Sequence, residues 1–193
     1  MDSQSKIPEN NDVGLYKETI TKKLVGDMYE LHLERHQLAN GKSFDYYVFH
    51  LPHFAVIIPI TADQKFVLIK QYRPSWRRVV VEFPAGVADT YQEEPENTAK
   101  RELEEETGFY AEKMTLLGKF RHSSRSTQYC YAFVAENLEL RQQNLDEGEF
   151  IEEILFLSAK EIDQMIEKEE MIDISHIASW YSYKESIKDK KLK

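Results

Sequence analysis

Apolar and polar residues alternate in short runs along most of this chain, and turn-forming residues separate the runs, a pattern that predicts many short strands. Met28 to Arg35 alternates, as does Phe44 to Phe49, on either side of Ala39-Asn40-Gly41-Lys42, where Asn-Gly signals a two-residue hairpin turn. Ala55 to Ile60 and Lys65 to Gln71 are apolar runs joined through a turn at residues 61–64. A basic, aromatic loop from Tyr72 to Arg78 precedes a strand from Val79 to Phe83, which Pro84-Ala85-Gly86 ends. Lys113 to Phe120, Gln128 to Ala135 and Ile151 to Leu157 complete the strands. Helical spacing appears in three places. One helix starts at Asn97 or Thr98 and stops at Gly108. Ser158-x-x-Glu161 is a capping box that predicts a helix from Ala159 to Lys168. A last helix from Ser175 to Ile187 spaces Ile177, Trp180, Tyr181 and Lys184 for packing.

Residues 1–11 read as a polar tail. Residues 12–52 read as a small antiparallel β subdomain suited to packing on a second copy of the chain, and 53–193 as one catalytic domain. A net charge of −9 and a pI near 5.2 disfavour non-specific binding to nucleic acid or an anionic membrane. The longest apolar run, Phe54 to Ile60, is too short to span a bilayer. One cysteine, Cys130, excludes an intrachain disulfide, and no N-terminal apolar segment resembles a signal peptide. The expected compartment is a reducing cytoplasm, with Cys130 an inert thiol in a strand.

Composition leaves the chemistry open; the first helix narrows it. Glu102, Glu105 and Glu106 stand at i, i+3 and i+4, which brings three like charges onto one face. A hard divalent cation would relieve the repulsion, and oxygen-only ligands suit Mg²⁺ or Mn²⁺. A solvated acidic face is the competing reading. Asp146-Glu147-Gly148-Glu149 forms a second acidic cluster. Arg73, Arg77 and Arg78 flank Trp76 in a segment able to hold phosphates and stack a base, and residues 121–127 form a further cationic loop. His32, His36, His50 and His53 lack metal-ligand spacing and, with His176, read as structural. His122 also reads as structural, although it alone of the six stands in a loop expected on the substrate side.

Gly86, Glu93 and Arg101-Glu102-Leu103-Glu104-Glu105-Glu106-Thr107-Gly108-Phe109 resemble the Nudix box, Gly-x5-Glu-x7-Arg-Glu-U-x-Glu-Glu-x-Gly-U, with U a bulky apolar residue. Two departures stand out: six residues, not five, separate Gly86 from Glu93, and the last U is aromatic. From Tyr16 to Ile187 the chain is most similar, within that family, to ADP-ribose pyrophosphatases, through Gln71-Tyr72-Arg73, Glu82-Phe83-Pro84-Ala85-Gly86 and residues 146–150. The resemblance implies an α/β/α sandwich around a mixed sheet, a homodimer formed through the N-terminal strands, and hydrolysis of a nucleoside diphosphate linked to another group.

It further implies Mg²⁺ or Mn²⁺ held by Glu102, Glu105, Glu106 and the Ala85 carbonyl, with Arg101 orienting the glutamates. Glu147 or Glu149 would supply a base or another metal contact. Arg73, Glu82 and Arg125 are expected to bind substrate, with Tyr72 or Trp76 stacking on the base. Residues 121–127 lack the proline typical of ADP-ribose enzymes, so GDP-mannose or a dinucleotide stands beside ADP-ribose as substrate. From other classes, a nucleotide-sensing module would have lost one of the glutamates, and an RNA-processing hydrolase would need a basic groove.

Overall fold

The computed structural model describes residues 16–25, 28–145 and 150–191. They divide into two compact units: the described residues up to Pro52 together with Ser123–Gln128, and His53–His122 together with the described residues from Tyr129 onward.

The first unit is an antiparallel meander of β1 (Tyr16–Val25), β2 (Tyr29–Gln37) and β3 (Ser43–His50). Segment 123–128 joins it at Phe49, whose N–H donates to the Arg125 carbonyl (2.8 Å) and whose carbonyl accepts from Thr127 N–H (2.9 Å). The β2–β3 turn is wider than Asn-Gly predicts. Gln37 pairs with Ser43, Gly41 N–H donates to Leu38 O (2.9 Å) and Gly41 has φ of 80°. The glycine is therefore the left-handed residue that closes a longer hairpin loop, rather than the second residue of a tight turn.

The second unit runs β4 (Phe54–Pro59), β5 (Phe66–Arg73), β6 (Arg78–Glu82), β7 (Ala85–Val87), α1 (Pro95–Thr107), β8 (Phe109–Tyr110), β9 (Met114–Phe120), β10 (Cys130–Ala135), β11 (Glu139–Leu140), β12 (Ile151–Leu157), α2 (Ala159–Glu167) and α3 (Ile174–Lys191). One sheet, in order β7-β4-β10-β9, is mixed, because β10 lies parallel to β4 while the other pairs are antiparallel. A second sheet, β12-β5-β6, is antiparallel.

Alternation along β4 sets the layers. Ala55 and Ile57 face Ala99 and Leu103 of α1, whereas Val56 and Ile58 share a core with Leu68, Phe83, Ile162 of α2 and Trp180 of α3. Both faces of β4 are buried, so its sequence shows no polar alternation. The result is the expected mixed α/β sandwich, with helices on either side.

Tyr72 and Arg73, expected in a loop, end β5 instead, paired with Val79 and Arg78. Sheet pairing extends the strand past the apolar run that sequence detects. Helix α1 begins at Pro95, ahead of the expected start, because proline at the first turn presets φ and lacks an N–H to leave unpaired. The Ser158–Glu161 capping box forms as predicted, and Gly108 closes α1 in the left-handed conformation. Trp180 is fully buried and donates to Asp163 (2.8 Å), while Tyr181 is half exposed and outside the core. Cys130 is buried, and burial pushes its thiol up to about 12, so it is inert at neutral pH.

Candidate active site

Three consecutive residues of β7 meet three charged residues of α1. Ala85 N–H donates to Glu106 Oε2 (2.8 Å). The Glu102 carboxylate lies directly against Gly86, in the space a side chain would fill. The Val87 carbonyl accepts from Arg101 (2.9 Å). The strand's short side chains and its ladder to β4 hold the backbone close enough for all three contacts.

Arg101 is the hub. One of its nitrogens donates to both Glu102 Oε1 (2.8 Å) and Glu105 Oε2 (2.9 Å), so these two carboxylates converge on one point. The same guanidinium reaches Glu93 (3.4 Å) and Asp89 (3.4 Å). The loop with the extra residue therefore still returns Glu93 to Arg101, and Asp89 N–H caps Glu93 at 2.7 Å. Burial pushes the Glu93 carboxyl up, but the Asp89 N–H and the Arg101 guanidinium outweigh it and hold the group below the usual range. Glu102 and Glu106 are buried and Glu105 half-buried, so this is not the solvated acidic face that glutamate runs usually form.

The C-terminal end of α1 is strapped by residues 141–144. Gln143 donates to the Glu106 carbonyl (2.6 Å), Asn144 N–H to the Glu105 carbonyl (3.1 Å) and Arg141 N–H to Gly108 O (2.6 Å). These bonds satisfy carbonyls that a helix end leaves without partners. Glu147 and Glu149 lie outside the described residues.

The expected substrate residues fall in different places. Arg73 donates to Glu82 Oε2 from Nε (2.8 Å) and from a terminal nitrogen (2.7 Å). Tyr72, its neighbour on β5, leaves the opposite face and lines an open groove of about 510 Å³ with Phe150, Ile151 and Glu152. Trp76 is exposed in the β5–β6 turn. Arg125 belongs to the first unit, its guanidinium 4.4 Å from the centre of the Tyr46 ring. His122 packs edge-on against Phe54.

Gln71 entered the sequence reading only as part of Gln71-Tyr72-Arg73, with no role of its own. It is buried on the Arg73 face of β5, and its Oε1, like Oε1 of Glu82, has no hydrogen-bond partner among the described residues. A polar residue closing the apolar run Lys65 to Gln71 was the available signal.

His176 and Asp173 approach Glu82 from α3 and the loop before it. Phe83 N–H donates to His176 Nδ1 (3.2 Å), which turns Nε2–H toward Glu82 at 4.0 Å. Burial holds His176 below its usual range despite the neighbouring carboxylates. Arg73 offsets the Glu82 charge, and His176 has no ring lone pair left for a metal.

Gly86→Ala tests the α1–β7 contact. The new methyl occupies the position of the Glu102 carboxylate, which must swing away. Any catalysis that depends on the glutamates should fall by about a hundredfold, the scale of a roughly 1 Å misplacement, while the thermal midpoint moves little. Unchanged kcat would place Glu102 outside the chemistry.

The NUDIX domain model matches residues 51–181. An ADP-ribose pyrophosphatase from Bacillus subtilis (strain 168) is 34% identical, covering 82% of this chain and 88% of its own. A methanol dehydrogenase activator from Bacillus methanolicus is 32% identical, over 77% of this chain and 80% of its own. The solved crystal structure of an ADP compounds hydrolase superposes with a TM-score of 0.78 at 21% identity, covering 95% of this chain and 98% of that one, a likeness of fold.

Proposed function

The chain belongs to the Nudix family of hydrolases, and from that premise we propose that it hydrolyses the pyrophosphate bond of a nucleoside diphosphate derivative, ADP-ribose or a related ADP-sugar first among them. The observation that carries this is the α1–β7 clasp: buried glutamates converging on Arg101 and on the backbone of Ala85 to Val87.

The donor set fits a hard divalent cation, Mg²⁺ or Mn²⁺. It offers carboxylate oxygens, and the Glu102 carboxylate is seated where only glycine leaves room. Glu102, Glu105 and Glu106, with the Ala85 carbonyl, would hold it. Such a cation, when bound, neutralises phosphoryl oxygens and makes water more acidic. Arg101 fixes the carboxylates of Glu102 and Glu105, and the Ala85 N–H fixes Glu106, so the oxygens are in place before substrate arrives. Glu147 or Glu149 is assigned the role of general base.

Arg73 spends two of its five donors on Glu82 and keeps the others for a substrate phosphate. The unpartnered oxygens of Gln71 and Glu82 suit a ribose hydroxyl or a base amino group. Tyr72 offers a ring beside an apolar groove for stacking, with Trp76 as the other aromatic. Arg125 is retained as a phosphate contact. Residues 12–52 are assigned to dimerisation, as a homodimer working in the cytoplasm.

GDP-mannose or a dinucleotide remains the second substrate reading, carried by the absence of proline from residues 121–127. Steady-state kinetics decide between them. The kcat/KM for ADP-ribose should exceed that for GDP-mannose by at least about a hundredfold, since a site built to hydrogen-bond one base's polar groups rejects an analogue lacking them by up to roughly 10⁴–10⁵-fold. The reverse order would transfer the assignment to the second reading. Turnover of neither would favour a nucleotide-sensing module.

A further inference from the structure

We propose that His32, Glu34 and His50 form a second metal site, for a borderline transition ion of the zinc class, that clips β2 to β3 within the first unit. The site is separate in sequence and in ligand chemistry from the glutamates of α1.

Residues 30, 32, 34 and 36 leave one face of β2, so Glu30-x-His32-x-Glu34-x-His36 forms a stripe of alternating acid and imidazole. The register pairs Glu30 with His50, which brings the β3 histidine onto the same face. One ligand atom each from His32, Glu34 and His50 lies within 4.8 Å of the other two. The stripe is enclosed: the Glu34 side chain is 3% exposed and that of His32 13%.

The hydrogen bonds assign the ring nitrogens. His32 Nε2 sits 2.6 Å from Glu30 Oε2. A carboxylate only accepts, so Nε2 is the donor, and the neutral ring carries its lone pair on Nδ1. That atom is buried and has no hydrogen-bond partner among the described residues. A carboxylate on one ring nitrogen and a bare lone pair on the other is the arrangement that sets a histidine as a metal ligand.

Glu34 is supported in the same way. Its Oε2 meets His36 Nε2 at 3.1 Å, while Oε1 faces His50 Nε2 at 3.4 Å. The first distance is a hydrogen bond that orients the carboxylate. The second is long for a charge-assisted hydrogen bond, but it matches the roughly 3.4 Å between two ligands about 2.0–2.1 Å from one tetrahedral ion. The rings of His32 and His50 lie 3.9 Å apart at 30°. Two imidazolium ions stacked so closely would repel, whereas two neutral imidazoles sharing a cation would not.

Two imidazoles and a carboxylate select zinc-class ions over Mg²⁺. Water completes the coordination. Glu30 and His36 act as positioning residues.

The test is equilibrium dialysis of the full chain against Zn²⁺ in a large excess of Mg²⁺, which keeps the α1 glutamates occupied. The chain should take up zinc stoichiometrically, and X-ray absorption at the zinc edge should show two imidazoles. His32→Phe and His50→Phe keep a ring in the stack and should each weaken uptake by about a hundredfold or more, beyond the 10- to 100-fold typical of outer-shell changes. Glu30→Gln should weaken it within that outer-shell range, and Glu106→Gln should leave it unchanged. No stoichiometric uptake, uptake indifferent to both histidine variants, or an oxygen-only shell overturns the site. If either phenylalanine variant fails to fold, the absorption spectrum of the unaltered chain decides alone.

Discussion

Glu106→Gln is expected to lower kcat by at least about a hundredfold, a loss that even outer-shell support of a metal ligand produces. The substitution removes a charge at constant shape. Glu106 is buried and its Oε2 accepts the Ala85 N–H at 2.8 Å. A glutamine amide oxygen can accept the same bond, so the helix–strand contact survives and the fold with it. What disappears is the anionic donor to a hard cation. Circular dichroism and the thermal midpoint should match the parent while turnover collapses, and a higher Mg²⁺ concentration should recover part of it. Near-normal turnover at ordinary Mg²⁺ would remove Glu106 from the metal set.

Arg101→Met should produce the largest stability change. The guanidinium bonds Glu102, Glu105, Glu93 and the Val87 carbonyl, and its side chain is 21% exposed. The carboxylates raise its affinity for the proton well above the ordinary range, against the opposing effect of burial. Methionine fills the space but leaves buried carboxylates facing one another. Breaking a buried ion pair from one side costs about 3–5 kcal/mol, and partial exposure brings the expected loss to about 2–4 kcal/mol. At this chain length each kcal/mol moves the midpoint by about 2–4 °C, so calorimetry without divalent ions should show a fall of roughly 5–15 °C. An unchanged midpoint would mean that the glutamates are a solvated surface after all.

The acidic helix was legible because its spacing alone puts Glu102, Glu105 and Glu106 on one face, and because the glycine and capping signals that bound α1 and α2 are local. What sequence missed depends on pairing between distant strands. The extension of β5 through Tyr72 and Arg73 follows from its ladder with β6. It turns an apparent cationic loop into two side chains on opposite faces, one bound to Glu82. Gln71 and Glu82 become neighbours only through that register.

The histidines show the same limit. His32, His36 and His50 have no ligand spacing along the chain, yet a period of two on β2 and the pairing of Glu30 with His50 gather them. Segment 123–128, with Arg125, is grouped with the first unit by its bonds to Phe49, a long-range contact that no local pattern encodes. The base expected at Glu147 or Glu149 lies outside the described residues and rests on sequence.

The most direct test of the central claim, that the α1–β7 clasp supports metal-dependent pyrophosphate hydrolysis, is phosphorus NMR of ADP-ribose incubated with the chain and Mg²⁺, with and without chelator. The pyrophosphate resonances should give way to those of two monophosphate esters, AMP and ribose 5-phosphate, and chelation should stop the conversion. Conversion that persists under chelation, or pyrophosphate signals that stay intact with Mg²⁺ present for ADP-ribose and every related nucleoside diphosphate derivative tried, would contradict it.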